Sequence, residues 1–263
     1  MTTAESNWAR RAGAIAAVLL SAYHLVVLWW DFGQTGFVDL PIFLAHAQRF
    51  LETGELYLDT VDVATYGPTA PVYKFPPLFG MLLLPFARTI EAGDLYVHWI
   101  AHLALYLVAV GCAVRMFLGA RGATPMVIGL ILALNFEPFL ETVWRLQVEL
   151  PILLLLLAAF AGIRFRLPWL TGVALGIATL FKVYPGFLLV YFLVRRRFDV
   201  VLWSALSAIL VTLSTVIVFG IDQNRLFFLE ILPFLLNEPP LAGNTSNVSA
   251  ARHLQELGGL SPA

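Results

Sequence analysis

Asp39 stands just beyond the first long apolar stretch of the chain, at the mouth of an amphipathic segment, Asp39-Leu-Pro-Ile-Phe-Leu-Ala-His-Ala-Gln-Arg-Phe-Leu51, that closes on Gly54-Glu-Leu-Tyr57. A carboxylate beside a bilayer, but outside its hydrocarbon, is placed to take a proton from a hydroxyl reacting with a lipid-borne substrate. The same residue also fits a helix N-cap, because it precedes Leu40-Pro41 and proline is tolerated in a first helical turn. The two roles are compatible and separate under substitution: asparagine caps as well as aspartate but accepts no proton.

Two lysines are placed to meet an anion. Tyr73-Lys74-Phe75-Pro76-Pro77 leads into an apolar run, which puts Lys74 at headgroup level, either as a snorkelling anchor or as an ammonium that holds a phosphate. Lys182, in Phe181-Lys182-Val183-Tyr184-Pro185, interrupts a long apolar run, and a lysine near mid-bilayer costs roughly 2.5–3.5 kcal/mol. It requires a partner and marks a substrate or ion path, unless Pro185 breaks the helix and brings Lys182 to a surface.

The polar hairpin from Asn135 to Glu149 reads first as an amphipathic connector, although it carries Glu141, Arg145, Gln147 and Glu149 together. His24, His98 and His102 fit packing roles better than ligand roles. The His, Cys and carboxylate spacings match no metal motif, and neither a Walker loop nor a dinucleotide glycine loop is present, so no metal, cofactor or nucleotide is expected. Asn244-Thr-Ser246 and Asn247-Val-Ser249 match glycosylation acceptors in a cell that glycosylates.

The elements that must position these groups are set by composition. Of 263 residues 60% are hydrophobic and 13% charged, with a mean hydropathy of +0.83, which places the chain in the membrane class. A net charge of −1 gives no basic excess for nucleic acid. The lone Cys112 excludes an intrachain disulfide. Arg10-Arg11 precede an apolar run from Ala12 to Trp30, about 28 Å long as a helix, which reads as an uncleaved anchor with residues 1–11 cytoplasmic.

Residues 31–74 carry Asp39, Glu52, Glu55, Asp59 and Asp62 against Arg49, and form a large acidic first extracytoplasmic loop. Within it Leu40, Phe43, Leu44, Ala47 and Leu51 recur at helical spacing, opposite His46, Gln48, Arg49 and Glu52, as in a helix lying flat in the interface. Further apolar runs, at about 76–90, 95–118, 125–134, 150–163, 167–194 and 200–221, bring the total to about seven spans in a single transmembrane domain covering 1–263. Arg195-Arg-Arg197 reads as cytoplasmic, yet Arg115, Arg121, Arg164 and Arg166 cannot all join it under simple alternation. Either 76–90 is re-entrant and 167–194 crosses twice, or several arginines face outward. Both solutions put residues 222–263 on the outer side with the Asp39 loop, where the chain stops without another span and looks C-terminally truncated. The expected location is the plasma membrane, multi-pass, with a cytoplasmic N-terminus. No internal repeat is present.

These residues resemble the polytopic GT-C glycosyltransferases of family 87, the polyprenol-phosphate-mannose-dependent mannosyltransferases. The similarity runs through Asp39, Phe43, Gly54 and Tyr57; Phe75-Pro76-Pro77; Leu146-Gln147-Val148-Glu149; Gly172 through Lys182 and Pro185 to Arg195-Arg-Arg197; and Asn244 to Arg252. Leu146 and Glu149 stand where the family has glycine and asparagine. The resemblance implies an all-α, GT-C-like bundle that transfers a hexose, mannose first, from a polyprenyl-phosphate sugar to a lipid or glycan acceptor outside the membrane, with inversion. In that scheme Asp39 is the base, Lys74, then Lys182 or Arg252, neutralises the departing phosphate, and Tyr57, Gln147, Asn244 and Asn247 touch substrate. A transporter, or a non-catalytic membrane assembly subunit, explains broken helices and a buried lysine as well.

Overall fold

The computed structural model describes residues 15, 17–27, 30, 39–57, 75–88, 95–118, 123–136, 140, 142–143 and 148–233. Residues 1–11, the loop stretch 58–74 and the C-terminal segment beyond 233 lie outside the described residues. Among those described, every regular element is helical. In chain order they are α1 (Ala17–Val27), α2 (Asp39–Thr53), α3 (Pro77–Leu83), α4 (Leu95–Leu118), α5 (Ala123–Leu134), α6 (Glu149–Arg164), α7 (Pro168–Phe181), a 3-10 turn (Tyr184–Gly186), α8 (Phe187–Val194), α9 (Phe198–Leu226) and a π turn (Phe227–Ile231). Two stretches among them, Val97–Phe117 and Phe198–Ile231, are long and apolar enough to cross a membrane, and most of their side chains are not buried by protein.

The chain divides into two compact units, one of residues 1–41 and 88–211, the other of 42–87 and 212–263. In the first, α6 and α7 form a tight antiparallel hairpin. Gly162 lets the turn close, because a side chain there would strike Thr171, whose Oγ1 donates 3.2 Å to Ala159 O. One turn later Gly172 and Gly176 admit α9: a Cβ on Gly172 would meet Val200 O and Trp203 Cβ, and one on Gly176 would meet Ser204 O and Ser207 Oγ. Small residues spaced by four let helix backbones approach closely, which drives packing where lipid removes the hydrophobic incentive. Ala159, Ala174, Leu175, Phe192 and Val200 form the apolar cluster beside this contact. A second cluster, Tyr106, Ala133, Val143 and Leu150, joins α4, α5 and α6, and the Asn135 side-chain N–H donates 2.8 Å to Ser21 Oγ of α1.

Two helix ends in this unit close as Schellman motifs. Leu167 N–H donates to Gly162 O (2.7 Å) and Arg166 N–H to Ile163 O (3.2 Å); Arg197 N–H donates to Phe192 O (2.9 Å) and Arg196 N–H to Leu193 O (2.9 Å). The left-handed position of each motif, normally glycine, holds an arginine, Arg166 at φ 59° and Arg196 at φ 54°. An L-residue there costs about 1–2 kcal/mol, partly offset by a cation at a helix C-terminus. Arg164 Nη1 donates 3.1 Å to Met116 O, so the C-terminal ends of α4 and α6 meet. The contacts of Gly162 with Thr171 and of Gly172 with Val200 bring the starts of α7 and α9 to that same end. Arg115, Arg164, Arg166 and Arg195–Arg197 therefore gather at one end of the unit, and the α6 N-terminus and α7 C-terminus lie at the other.

The 76–90 run contains a seven-residue helix, α3, followed by turns; it is roughly 10 Å long, a third of a hydrocarbon core. The 167–194 run breaks after Phe181. Lys182 is extended (φ −149°, ψ 145°), Pro185 sits in the 3-10 turn, and α8 returns toward the arginine end. The other runs are helical, but α5, α7 and α8 are short, so the about seven expected spans are represented among the described residues by two of full length.

In the second unit, the body of α2 packs its apolar face onto protein. Phe43 lies edge-on to Phe75 (4.8 Å between ring centres) and Phe79 (5.1 Å). Phe50 lies edge-on to Phe219 at 4.6 Å. Leu40, Phe43, Leu44 and Ala47 are buried as their spacing predicts, and Leu51 is exposed. The face expected to rest on lipid is thus largely covered by the chain itself. The late part of α9 is kinked at Gly220 (φ 80°, ψ 165°), a conformation suited to glycine. Asn224 bridges the kink, donating 2.8 Å to Gly220 O and accepting 2.7 Å from Thr215 Oγ1.

Candidate functional site

The Gly54–Tyr57 turn is locked from three directions. Gly54 ends α2 in a left-handed conformation (φ 80°), its N–H bonded to Phe50 O at 2.8 Å, and the chain then doubles back over the helix. Oε1 of Gln223 accepts the backbone N–H groups of both Leu56 (2.9 Å) and Tyr57 (3.1 Å). Leu56 is 0% exposed and Tyr57 2%, so these donors have no water to fall back on. The Tyr57 hydroxyl donates 2.8 Å to Phe75 O, and its ring lies 5.6 Å from that of Phe227. His46 Nδ1 is 3.1 Å from Leu56 O, which is why a residue on the polar side of the helical pattern is buried here. Gln48 Nε2 donates 2.5 Å to Ala87 O.

The lock joins the turn that ends α2 to the backbone at Phe75. The helix it terminates opens at Asp39, and the carbonyl held by Tyr57 belongs to the residue after Lys74. The Asp39 side chain and Lys74 themselves lie outside the described residues, as do Gln147, Asn244, Asn247 and Arg252. Tyr57, read as a substrate contact, is placed as a buried tie between chain segments.

In the first unit, the end opposite the arginines carries an ion pair between Lys182 Nζ and Glu149 Oε1. Lys182 follows the last turn of α7 and Glu149 opens α6, so each charge also sits where its helix dipole favours it. Glu149 Oε2 is buried with no hydrogen-bond partner among the described residues. The ammonium of the pair, about a third exposed, can still donate to an anion, whereas Glu149 Oε2 is enclosed. Lys182 thus finds in Glu149 the partner its apolar surroundings demanded.

Gln223 is the residue that sequence reasoning passed over. Its signal was faint: Asp222-Gln223-Asn224 follows the last apolar run and reads as the start of a polar tail, whereas Gln223 and Asn224 both make structural hydrogen bonds.

Comparison with known proteins adds a family. The model of glycosyltransferase family 87 matches residues 73–262. A polyprenol-phosphate-mannose-dependent alpha-(1-2)-phosphatidylinositol mannoside mannosyltransferase of Mycolicibacterium smegmatis is 24% identical over 232 residues, covering 78% of this chain and 51% of that protein. A polyprenol-phosphate-mannose-dependent alpha-(1-2)-phosphatidylinositol pentamannoside mannosyltransferase of Mycobacterium tuberculosis is 26% identical over 234 residues, covering 85% of this chain and 52% of that protein. The chain spans about half the length of these curated relatives. No solved structure matches it.

Proposed function

Since the chain belongs to glycosyltransferase family 87, we propose that it is a membrane hexosyltransferase that moves mannose from a polyprenyl-phosphate sugar to a lipid or glycan acceptor on the outer face of the plasma membrane. The observation that carries this reading is the family match over residues 73–262, and the Gln223–Tyr57–Phe75 lock supports it by fixing the turn that ends the Asp39 helix. The arginine cluster at one end of the first unit supports the orientation. By the positive-inside rule that end is cytoplasmic, 76–90 is re-entrant, 167–194 crosses twice, and the Lys182–Glu149 end faces outward.

The chemistry is an inverting displacement. The acceptor oxygen attacks the anomeric carbon, the bond from that carbon to the phosphate oxygen breaks, and the lipid phosphate leaves with the electron pair. The acceptor proton passes to Asp39. A phosphate leaves without a general acid, so one carboxylate suffices, and cations take up the developing charge. Lys74 is the first such cation and Lys182 or Arg252 the second. Glu149 holds Lys182 in place and makes the pair neutral overall, so Lys182 acts as a positioned donor more than a bare cation. Gln147, Asn244 and Asn247 are assigned to substrate hydroxyls.

The test is donor choice. Membranes containing the chain, given radiolabelled polyprenyl-phosphate mannose, are expected to label lipid or glycan with inverted anomeric configuration, and nucleotide sugar added with the lipid-sugar synthase blocked is expected to label nothing. Direct labelling from the nucleotide sugar, or retention of configuration, would overturn the reading.

A further inference from the structure

An apolar groove of about 400 Å³ runs along the first unit between α4 and α5, lined by Leu107, Gly111 and Cys112 on one side and Met126 and Leu130 on the other. Gly111 forms its floor, since a Cβ there would lie 3.2 Å from Met126 Sδ. The groove ends at Arg115, an exposed guanidinium with no partner among the described residues. One residue further on, Arg164 reaches in to Met116 O and adds a second cation.

Depth decides what fits. The apolar stretch Val97–Phe117 has 21 residues, about 31 Å of helix, against a hydrocarbon core of roughly 30 Å. Arg115 lies two residues from the end of that stretch, at headgroup height, and the groove descends from it into the hydrocarbon. We infer that the groove binds one acyl chain of an anionic phospholipid whose phosphate is held by Arg115. An apolar slot capped by a planar fork of donors matches that amphiphile and discriminates against a zwitterionic one, whose own cation repels Arg115. The site needs only that the chain spans a bilayer, and under the orientation proposed above the lipid belongs to the cytoplasmic leaflet, across the membrane from the transfer site.

Native mass spectrometry of the detergent-solubilised chain reads this directly. Phosphatidylglycerol is expected to be retained and phosphatidylcholine of the same acyl composition lost. Arg115→Ala, and Gly111→Leu, which fills the slot, are each expected to weaken retention by about tenfold or more. Because Cys112 is the single cysteine and is exposed, alkylating the unsubstituted protein with a bulky maleimide tests the same slot without a substitution, and retention is expected to vanish. Equal retention of the two phospholipids, displacement of phosphatidylglycerol by equimolar polyprenyl phosphate, or indifference to the adduct and to both substitutions would overturn the inference. Sugar transfer is not the readout, so failure here and failure of the transferase reading are separate results.

Discussion

Replacing Gln223 with alanine removes a single side-chain oxygen that satisfies two backbone donors at once. Each buried donor left unsatisfied costs about 1–3 kcal/mol, and Leu56 and Tyr57 are enclosed, so Gln223→Ala is expected to destabilise the second unit by about 2 kcal/mol or more. Tyr57→Phe removes one hydrogen bond, that to Phe75 O, while keeping the ring against Phe227, and is expected to cost about 1 kcal/mol. Gln223→Glu keeps an acceptor oxygen in place and is expected to retain most of the lock. Amide exchange at Leu56 and Tyr57, followed by mass spectrometry with thermal unfolding in detergent alongside, should rank protection as wild type, then Glu, then Ala. Unchanged exchange in Gln223→Ala, or a Gln223→Glu protein as open as the alanine variant, would refute the reasoning.

Other substitutions probe the first unit. Gly176→Leu drives a side chain into Ser204 O and Ser207, and is expected to cost about 1–3 kcal/mol or more, read as a loss of thermal stability that Leu206→Ala on the exposed face does not share. Arg166→Gly and Arg196→Gly relieve left-handed strain and are each expected to stabilise the solubilised chain by up to about 1 kcal/mol, while weakening orientation in the membrane as judged by protease accessibility of the two ends. A double-mutant cycle on Lys182→Met and Glu149→Gln is expected to return a coupling of about 1 kcal/mol, since the pair is partly screened by solvent; additive effects would dissolve the pair.

Local chemistry was legible in the sequence, and tertiary partners were not. The apolar period of α2 grouped Leu40, Phe43, Leu44, Ala47 and Leu51 on one face meant for the membrane interface; the first four are buried against protein and Leu51 is exposed, because helical spacing fixes a face but not what covers it. It could not say that Phe75 and Phe79 would do the covering. His46 was assigned to the polar side by the same wheel and is buried because the chain folds back after Gly54, an event the period does not encode. Lys182 announced its need for a counter-charge through its apolar surroundings, yet Glu149 lies 33 residues away and meets it only because α6 and α7 run antiparallel. Charge counting left two arrangements of the arginines open, and the short α3 and the broken pair of α7 and α8 fit the one in which 76–90 does not cross and 167–194 turns back at Pro185. The left-handed arginines gave no signal, since glycine is what the Schellman pattern leads a reader to expect.

The central claim rests on the proposed role of Asp39, at the start of α2, as proton acceptor. Transfer of radiolabelled mannose from polyprenyl phosphate, compared between the wild-type chain and Asp39→Asn at equal expression and equal exchange protection of the Leu56–Tyr57 lock, tests it most directly. Asparagine nearly matches aspartate in shape and caps a helix as well, but accepts no proton, so the rate is expected to fall by about 10²–10⁴-fold with the fold intact. Transfer within a few-fold of wild type would contradict the assignment of Asp39 and the mechanism built on it.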